Sequence, residues 1–483
     1  CLHHTPSMEV AQEFLTECAK ALRDAPALLL WDAWNEPELT CAVAREPKID
    51  NLVCYCDHSI AKFGDWLRAR YGEDVAALNY AWGRNYQNWE EVEAPASFGT
   101  FRDLLDWRLF FVDTITEELR TRVRILKEHD PTHAVMAHTV PFPIFNLVTC
   151  ASDDFELAAT CDLFGNSAGS SAQAADLLSS AAAGKVVFNA EVHAMGGSTW
   201  YQNKPLADSE MDRFLLAPLA QNMKGYLFWQ YRPERLGLES PNWGLTDLAG
   251  NTTPWLERLA KVNGELQRRK DFLLRARPRR AEVGLLLDPE NELFNWSISQ
   301  SMDFYASAVR GAYDALHRAG FQVRFVHPTT LSEAGDLPVI YAPCPYWLQQ
   351  RTLDGLKEYV AQGGLLVAEP YFGGMDPATG LHEEVVPGLG WDTIFDTVQG
   401  LVLQPSTASF DAYANWAGDS SQAGDRLTVR LGDRTFATPA FHQMVELKPI
   451  SSLAAGQFGN GWTGLTFAQY EKGQAALVGT YLS

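Results

Sequence analysis

The sequence predicts an α/β chain in two modules: residues 1–275, a β/α barrel or an open α/β sheet, and residues 276–483, a doubly wound α/β sheet. Three observations carry this. Short apolar runs alternate with helix-period segments along the first module, the order that builds parallel sheets. Each run ends in polar residues, as strands do at the working rim of such folds. A basic linker at 268–280 then leads into a second series of the same alternation.

In the stretch SMEVAQEFLTECAKALRD, Val10, Phe14, Leu15, Cys18 and Leu22 fall on one helical face. Ser7 suits its N-cap, and Glu9 suits the positive end of the helix dipole. ALLLWDAW at 27–34 is a short apolar run closed by turn residues, which reads as a buried parallel strand. AKFGDWLRARYG (61–72) is a helix stopped by Gly72, and 104–131 is a longer one, with Trp107, Phe111 and Ile115 in a stripe and Pro131 at its end. Strands are expected at 133–140, 161–167, 186–193 and 224–232, with helices between them. The strand ends carry Asn35 and Glu36, His138, Asn166, Glu191, and Gln230 with Arg232. In the second module VGLLLD, QVRFVHP, LPVIYAPCP and LLVAEP read as strands separated by helices. Gly363-Gly364 closes a helix, so it reads as a C-cap rather than a phosphate loop. Residues 395–483 are less periodic and end in the strand-like AALVGTYLS.

Composition narrows the function. There are 60 acidic and 39 basic side chains, a formal charge of −21, which argues against nucleic acid and other polyanions and suits a neutral ligand. No apolar run has the length of a membrane span. Aromatics make up 12% of the chain, with 15 Trp; flat indole faces suit sugar rings, although for any single Trp core filling is the commoner role. The 8 cysteines are sparse and irregularly spaced, which favours free thiols in a reducing compartment, the cytoplasm.

Glu36 and Glu191 both stand at predicted strand ends, which converge on one pocket in a barrel. One protonated and one ionised carboxyl are what glycosidic bond cleavage needs: a proton for the leaving oxygen, and an attack on the anomeric carbon or on its behalf through water. The bland alternative, two rim carboxylates in salt bridges, is weakened by their pairing and by the Asn35 that precedes Glu36.

On these residues the chain resembles the clan A glycosidases and, within them, the family 42 β-galactosidases. CYCDHSIAKFGDWLRARYGEDVAALNYAWG resembles that family's cysteine-containing insert, LDWRLF its next helix, EVHAMGGSTW its nucleophile segment, and FWQYR with GLES its last barrel strand and loop. The second module resembles its flavodoxin-like trimerisation domain. The resemblance implies a TIM-type (β/α)8 barrel and a retaining β-galactosidase acting by double displacement on a small carbohydrate, assembled as a homotrimer. It implies Glu36 as acid/base and Glu191 as nucleophile. Asn35 would hold the sugar 2-OH and Trp200 would floor the glycone subsite. Trp229, Glu239 and Asn242 would line the rest of the sugar site. Another clan A activity (β-glucosidase, α-L-arabinopyranosidase, or mannan or glucan hydrolase) and a non-catalytic carbohydrate-binding fragment are the alternatives.

The chain departs from the family pattern in three places. Asn242 stands where the family has His. Pro37 follows Glu36 where an aromatic-Gly pair is usual. Ser59 stands where the insert's third cysteine would be, after Cys54 and Cys56. Structural zinc takes a closed set of thiolate or imidazole ligands, so no cofactor is expected, and any zinc at that insert would be structural. Only a short segment precedes the acid/base strand, so a fragment lacking the first three barrel strands is expected.

Overall fold

The computed structural model describes residues 1–39, 52–99, 101–140, 147–167, 169–193, 207–237, 239–403, 426–441 and 443–481. Contacts divide the chain into two compact units: Cys1–Ala42 with Val112–Asn146 and Cys150–Arg279, and Val43–Phe111 with Leu147–Thr149 and Arg280–Ser483.

The first unit is built on five strands: β1 (Leu30–Asn35), β2 (Ala134–Thr139), β3 (Leu163–Asn166), β4 (Val187–Val192) and β5 (Tyr226–Phe228). They lie side by side in chain order, and every neighbouring pair is parallel. Such an order is the wall of a β/α barrel; a doubly wound sheet would reverse it at a switch point. Helices Ala172–Ala181 and Asp208–Ala220 provide crossovers.

The middle of this sheet is buried as the apolar runs require: Val135, Met136 and Ala137 in β2 and Phe164 in β3 are fully covered. The first strand differs from expectation. It begins at Leu30, only Ala33 is buried, and Asp32 and Asn35 are exposed. The reason is position: among the described residues β1 is an edge of the sheet, with β2 as its single neighbour. The first helix also differs. It spans Thr5–Leu22 with His4 at its N-cap, because Pro6 is suited to the first turn, and Ser7 instead meets His4 Nδ1 through its hydroxyl at 2.6 Å. Of its predicted apolar face, Val10, Phe14 and Leu22 stay exposed. Helix Arg102–His129 behaves as predicted, with Trp107, Phe111 and Ile115 all at 0% exposure.

Gly165 is needed where it stands. It lies opposite His138 of β2 and Phe188 of β4, and a Cβ there would sit 2.5 Å from the Ala190 Cβ and 3.1 Å from the His138 Cβ. The small residue lets three strands approach at the level of the site.

In the second unit, β6 (Val283–Leu286), β7 (Val323–Val326), β8 (Val339–Ala342) and β9 (Leu365–Ala368) form a parallel sheet in the order β7-β6-β8-β9. The order turns around β6, as in flavodoxin-like sheets. Gly363, at φ +121°, ends helix Gln350–Ala361 as a C-cap glycine should.

The chain's last part is far more regular than its sequence suggests. It holds β10 (Thr397–Leu403), β11 (Arg426–Leu431), β12 (Arg434–Pro439), β13 (Met444–Pro449), β14 (Leu453–Phe458), β15 (Thr463–Tyr470) and β16 (Gly473–Val478). Strand β16 joins β9 in parallel as the fifth strand of the flavodoxin-like order, and β15, β14, β11 and β12 extend the sheet antiparallel.

The segment that resembles the cysteine-containing insert groups with this second unit. Its organising residue is Asp106, fully buried, ion-paired with Arg70 and Arg102, and accepting from Trp82 Nε1 at 2.8 Å. Arg102 in turn lies over the Trp347 ring at 5.2 Å. Trp107 is packed by Tyr55, Phe63 and Phe111 at centroid distances of 4.9, 4.8 and 4.7 Å, each such pair adding about 0.5–1.5 kcal/mol beyond burial. Cys56 caps helix Asp57–Arg70, its Sγ 3.5 Å from the Ser59 hydroxyl; hydrogen bonding by Ser59 lowers its thiol to about 7. No disulfide joins the described cysteines, and among the described residues no helix is long and apolar enough to cross a membrane.

Candidate active site

Both predicted catalytic carboxylates stand on the first unit's parallel sheet at strand ends. Glu36 follows the last residue of β1 at φ 45°, a left-handed conformation that costs a non-glycine residue energy and that active sites often retain. Its backbone N–H donates to the His138 carbonyl at 2.9 Å. Glu191 lies within β4. The ladder shifts register between Asp32 and Asn35 in β1 and between Asn189 and Val192 in β4. The ladder is therefore irregular just before Glu36 and around Glu191, and such irregularities re-aim side chains.

The two carboxyls sit in opposite electrostatic surroundings. Burial is the main cause that raises Glu36 above the ordinary carboxylate range, and the charge of Glu191 adds to it; His138 and a hydrogen bond from Ser167 Oγ to Oε1 at 3.3 Å pull the other way. Glu191 is instead lowered to about 2, by His138 first and His193 second. His193 Nε2 is 2.9 Å from Glu191 Oε1, and His138 Nε2 is 3.6 Å from Oε2, an ion-pair rather than a hydrogen-bond distance. Burial would strip the proton from His138, but the hydrogen bond to Asp32 and the charges of Asp32 and Glu191 outweigh it and raise the ring to about 9. The site thus holds one carboxyl whose proton is held more tightly than usual and one stabilised as the anion.

The remaining predicted residues divide. Asn35 is exposed at the tip of β1, in register with His138. Trp229 follows β5, and its indole Nε1 donates to Glu239 Oε2 at 3.0 Å; both are exposed. The Asn242 backbone N–H donates to the Glu239 carbonyl at 3.0 Å, which sets the turn carrying these residues. Asn242 also lines a cavity of about 440 Å³ with Trp243, Thr246, Asp247 and Trp255. The two carboxylates are not in its lining. The His193 ring bridges the two places, its centroid 4.2 Å from that of Trp243. Trp200 lies outside the described residues. Two other strand-end residues are structural: the buried Asn166 amide donates to the Ala174 carbonyl at 3.1 Å, and Arg232 donates to the Leu248 carbonyl at 2.8 Å.

Sequence reasoning missed Asp32, Ser167 and His193 and gave His138 no role. His193 had a signal: two residues beyond Glu191 in a strand, it shares that residue's face. Asp32 had a weaker one, a charge inside an apolar run.

Comparison with known proteins accords with this architecture. The model of glycoside hydrolase family 42, β-galactosidase, matches residues 1–269, and that of the β-galactosidase trimerisation domain matches residues 281–483. The β-galactosidase bgaB of Geobacillus kaustophilus is 24% identical over 500 residues, covering 100% of this chain and 69% of its own length. The β-galactosidase LacZ of Heyndrickxia coagulans is 24% identical over 511 residues, covering 99% and 70%. Among solved structures, the β-galactosidase from Rahnella sp. R3 superposes with a TM-score of 0.82 at 21% identity, over 100% of this chain and 70% of that one. The enzyme from Bacillus circulans sp. alkalophilus gives 0.82 at 20%, with the same coverage. The chain belongs to glycoside hydrolase family 42, the β-galactosidase family.

Proposed function

We propose that the chain is a retaining β-galactosidase in which Glu191 is the nucleophile and Glu36 the acid/base. The observation that carries the assignment is the opposite displacement of the two carboxyls, Glu36 upward and Glu191 down to about 2. An ionised Glu191 attacks the anomeric carbon while protonated Glu36 gives its proton to the departing glycosidic oxygen. The negative charge on Glu191 is consumed in the ester bond, which removes one cause of the raised Glu36 pKa. Glu36, now ionised, takes a proton from water as that water displaces Glu191. One carboxyl serves as acid and then as base because its partner's charge disappears in between.

Membership of the family supports a galactoside substrate. Trp229 offers an indole face beside the Glu239 carboxylate, a pair suited to stacking a sugar ring while accepting from its hydroxyls. Asn35 is assigned to the 2-OH, Trp200 to the floor of the glycone subsite, and Asn242 to a polar contact with the sugar. The trimerisation-domain match supports oligomerisation, and we assign a homotrimer, a cytoplasmic location and a module boundary near residue 275. The chain needs no cofactor for this chemistry.

The test is Glu191→Ala on an aryl β-galactoside with a good leaving group. Turnover should vanish and return as α-galactosyl azide on adding azide. Unchanged hydrolysis in the variant overturns the assignment.

A further inference from the structure

Both ring nitrogens of His138 face carboxylate oxygens. Nδ1 is 2.9 Å from Asp32 Oδ2, and Nε2 is 3.6 Å from Glu191 Oε2, in a residue only 3% exposed. A neutral imidazole carries one N–H and one lone pair, so one of its two faces would point a lone pair at an anion. Two carboxylates on opposite nitrogens select the doubly protonated ring, and a buried cation of this kind persists only when paired. The chemistry above uses Glu36 and Glu191 and leaves Asp32 without a task.

We propose that Asp32 and His138 are a positioning dyad for the nucleophile: Asp32 fixes and charges the His138 ring, and the ring holds Glu191 aimed and anionic until it attacks. The proposal rests on the reading of Glu191 as nucleophile. It explains why a third carboxylate stands beside two that already suffice. When Glu191 forms its ester bond its charge is lost, and a lone imidazolium would remain buried without a counter-ion. With Asp32 present, the glycosylated state retains a balanced Asp32–His138 pair. Asp32 therefore stabilises the intermediate's surroundings as well as the free site.

Strand geometry makes this arrangement specific. Asp32 pairs with Met136, two residues before His138, so the Asp32 carboxylate and the His138 ring lie on the same face of the two strands. Among the described residues, the ionisable groups facing His138 are Asp32 and Glu36 from β1, and Glu191 and its partner His193 from β4; β3 presents Gly165. The ring stays charged until pH passes about 9, so positioning is complete below that and is lost above it.

The experiment is a histidine-ring NMR titration of the full chain, with His138 assigned by its disappearance in His138→Gln, joined to pH-dependent kinetics on an aryl β-galactoside. In the unmutated chain the His138 midpoint should lie near 9. Asp32→Asn should lower that midpoint by about one pH unit or more and reduce kcat by about tenfold or more with KM little changed. Asp32→Glu should recover part of each effect. A midpoint near the ordinary histidine value of about 6.5 in the unmutated chain overturns the dyad, as does an Asp32→Asn variant with unchanged midpoint and kcat. The first outcome needs no variant, so misfolding of Asp32→Asn cannot hide it. Glu191→Gln separates the two readings: if that variant is dead while Asp32→Asn is unaffected, the nucleophile stands and the dyad falls. If it turns over normally, the nucleophile reading and the dyad that rests on it both fall.

Discussion

The Glu36 backbone N–H donates to the His138 carbonyl at 2.9 Å, while the ring of that same histidine faces Glu191. One buried residue thus contacts both glutamates, with its backbone on the main chain of one and its side chain on the carboxylate of the other. The positive φ of Glu36 is held by this hydrogen bond, so the acid's position does not depend on the ring. Substituting His138 is expected to disturb the nucleophile while leaving the Glu36 backbone in place.

The charge states predict the pH profile. In the proposed mechanism Glu191 must be ionised, and its carboxyl is lowered to about 2, so activity should be retained as pH falls until that region is reached. Glu36 must be protonated to start the reaction, and its raised pKa extends the protonated form upward. Above that pKa, kcat/KM should fall by about tenfold per pH unit. Removing the Glu191 charge in Glu191→Gln should bring Glu36 back toward the ordinary carboxylate value, read by carboxyl-carbon NMR. An unmoved Glu36 midpoint would show that the two charges are not coupled.

The pairing of Trp229 Nε1 with Glu239 predicts that specificity resides there. Glu239→Ala removes both an acceptor for sugar hydroxyls and the partner of the indole. Its kcat/KM should drop by on the order of 10²–10³ on an aryl β-galactoside, with a smaller loss on the matching glucoside. Equal losses on the two sugars would mean that Glu239 does not read the 4-OH.

In the second unit, Asp106→Ala leaves Arg70, Arg102 and Trp82 Nε1 without their shared anion in a fully buried place. Breaking a buried pair of this kind costs about 3–5 kcal/mol. Urea unfolding of the variant measures it, and a loss below about 1 kcal/mol would show that the arginines find other partners.

The barrel order and the placing of both carboxylates at strand ends were legible because each rests on local pattern: apolar runs, their spacing, and a glutamate at the end of two of them. The sequence did not disclose the Asp32–His138 contact, because that depends on which residue of β2 lies beside which residue of β1, a register that the pattern of either strand alone does not set. His138 stood among the strand-end residues, but its partners come from two other strands. The antiparallel strands after residue 395 were hidden for a different reason. Strand β12 is exposed along nearly its whole length and β14 carries small residues, so neither shows the apolar alternation that marks a strand.

In the proposed mechanism Glu191 forms the covalent bond to the sugar. A 2-deoxy-2-fluoro-β-galactosyl substrate with a good leaving group slows the second step and traps the ester, and peptide mass spectrometry then locates it. A single fluorogalactosyl group, carried by Glu191, is expected. A label on Glu36 or any other residue, or continued turnover of an ordinary galactoside with no trapped ester, would contradict it.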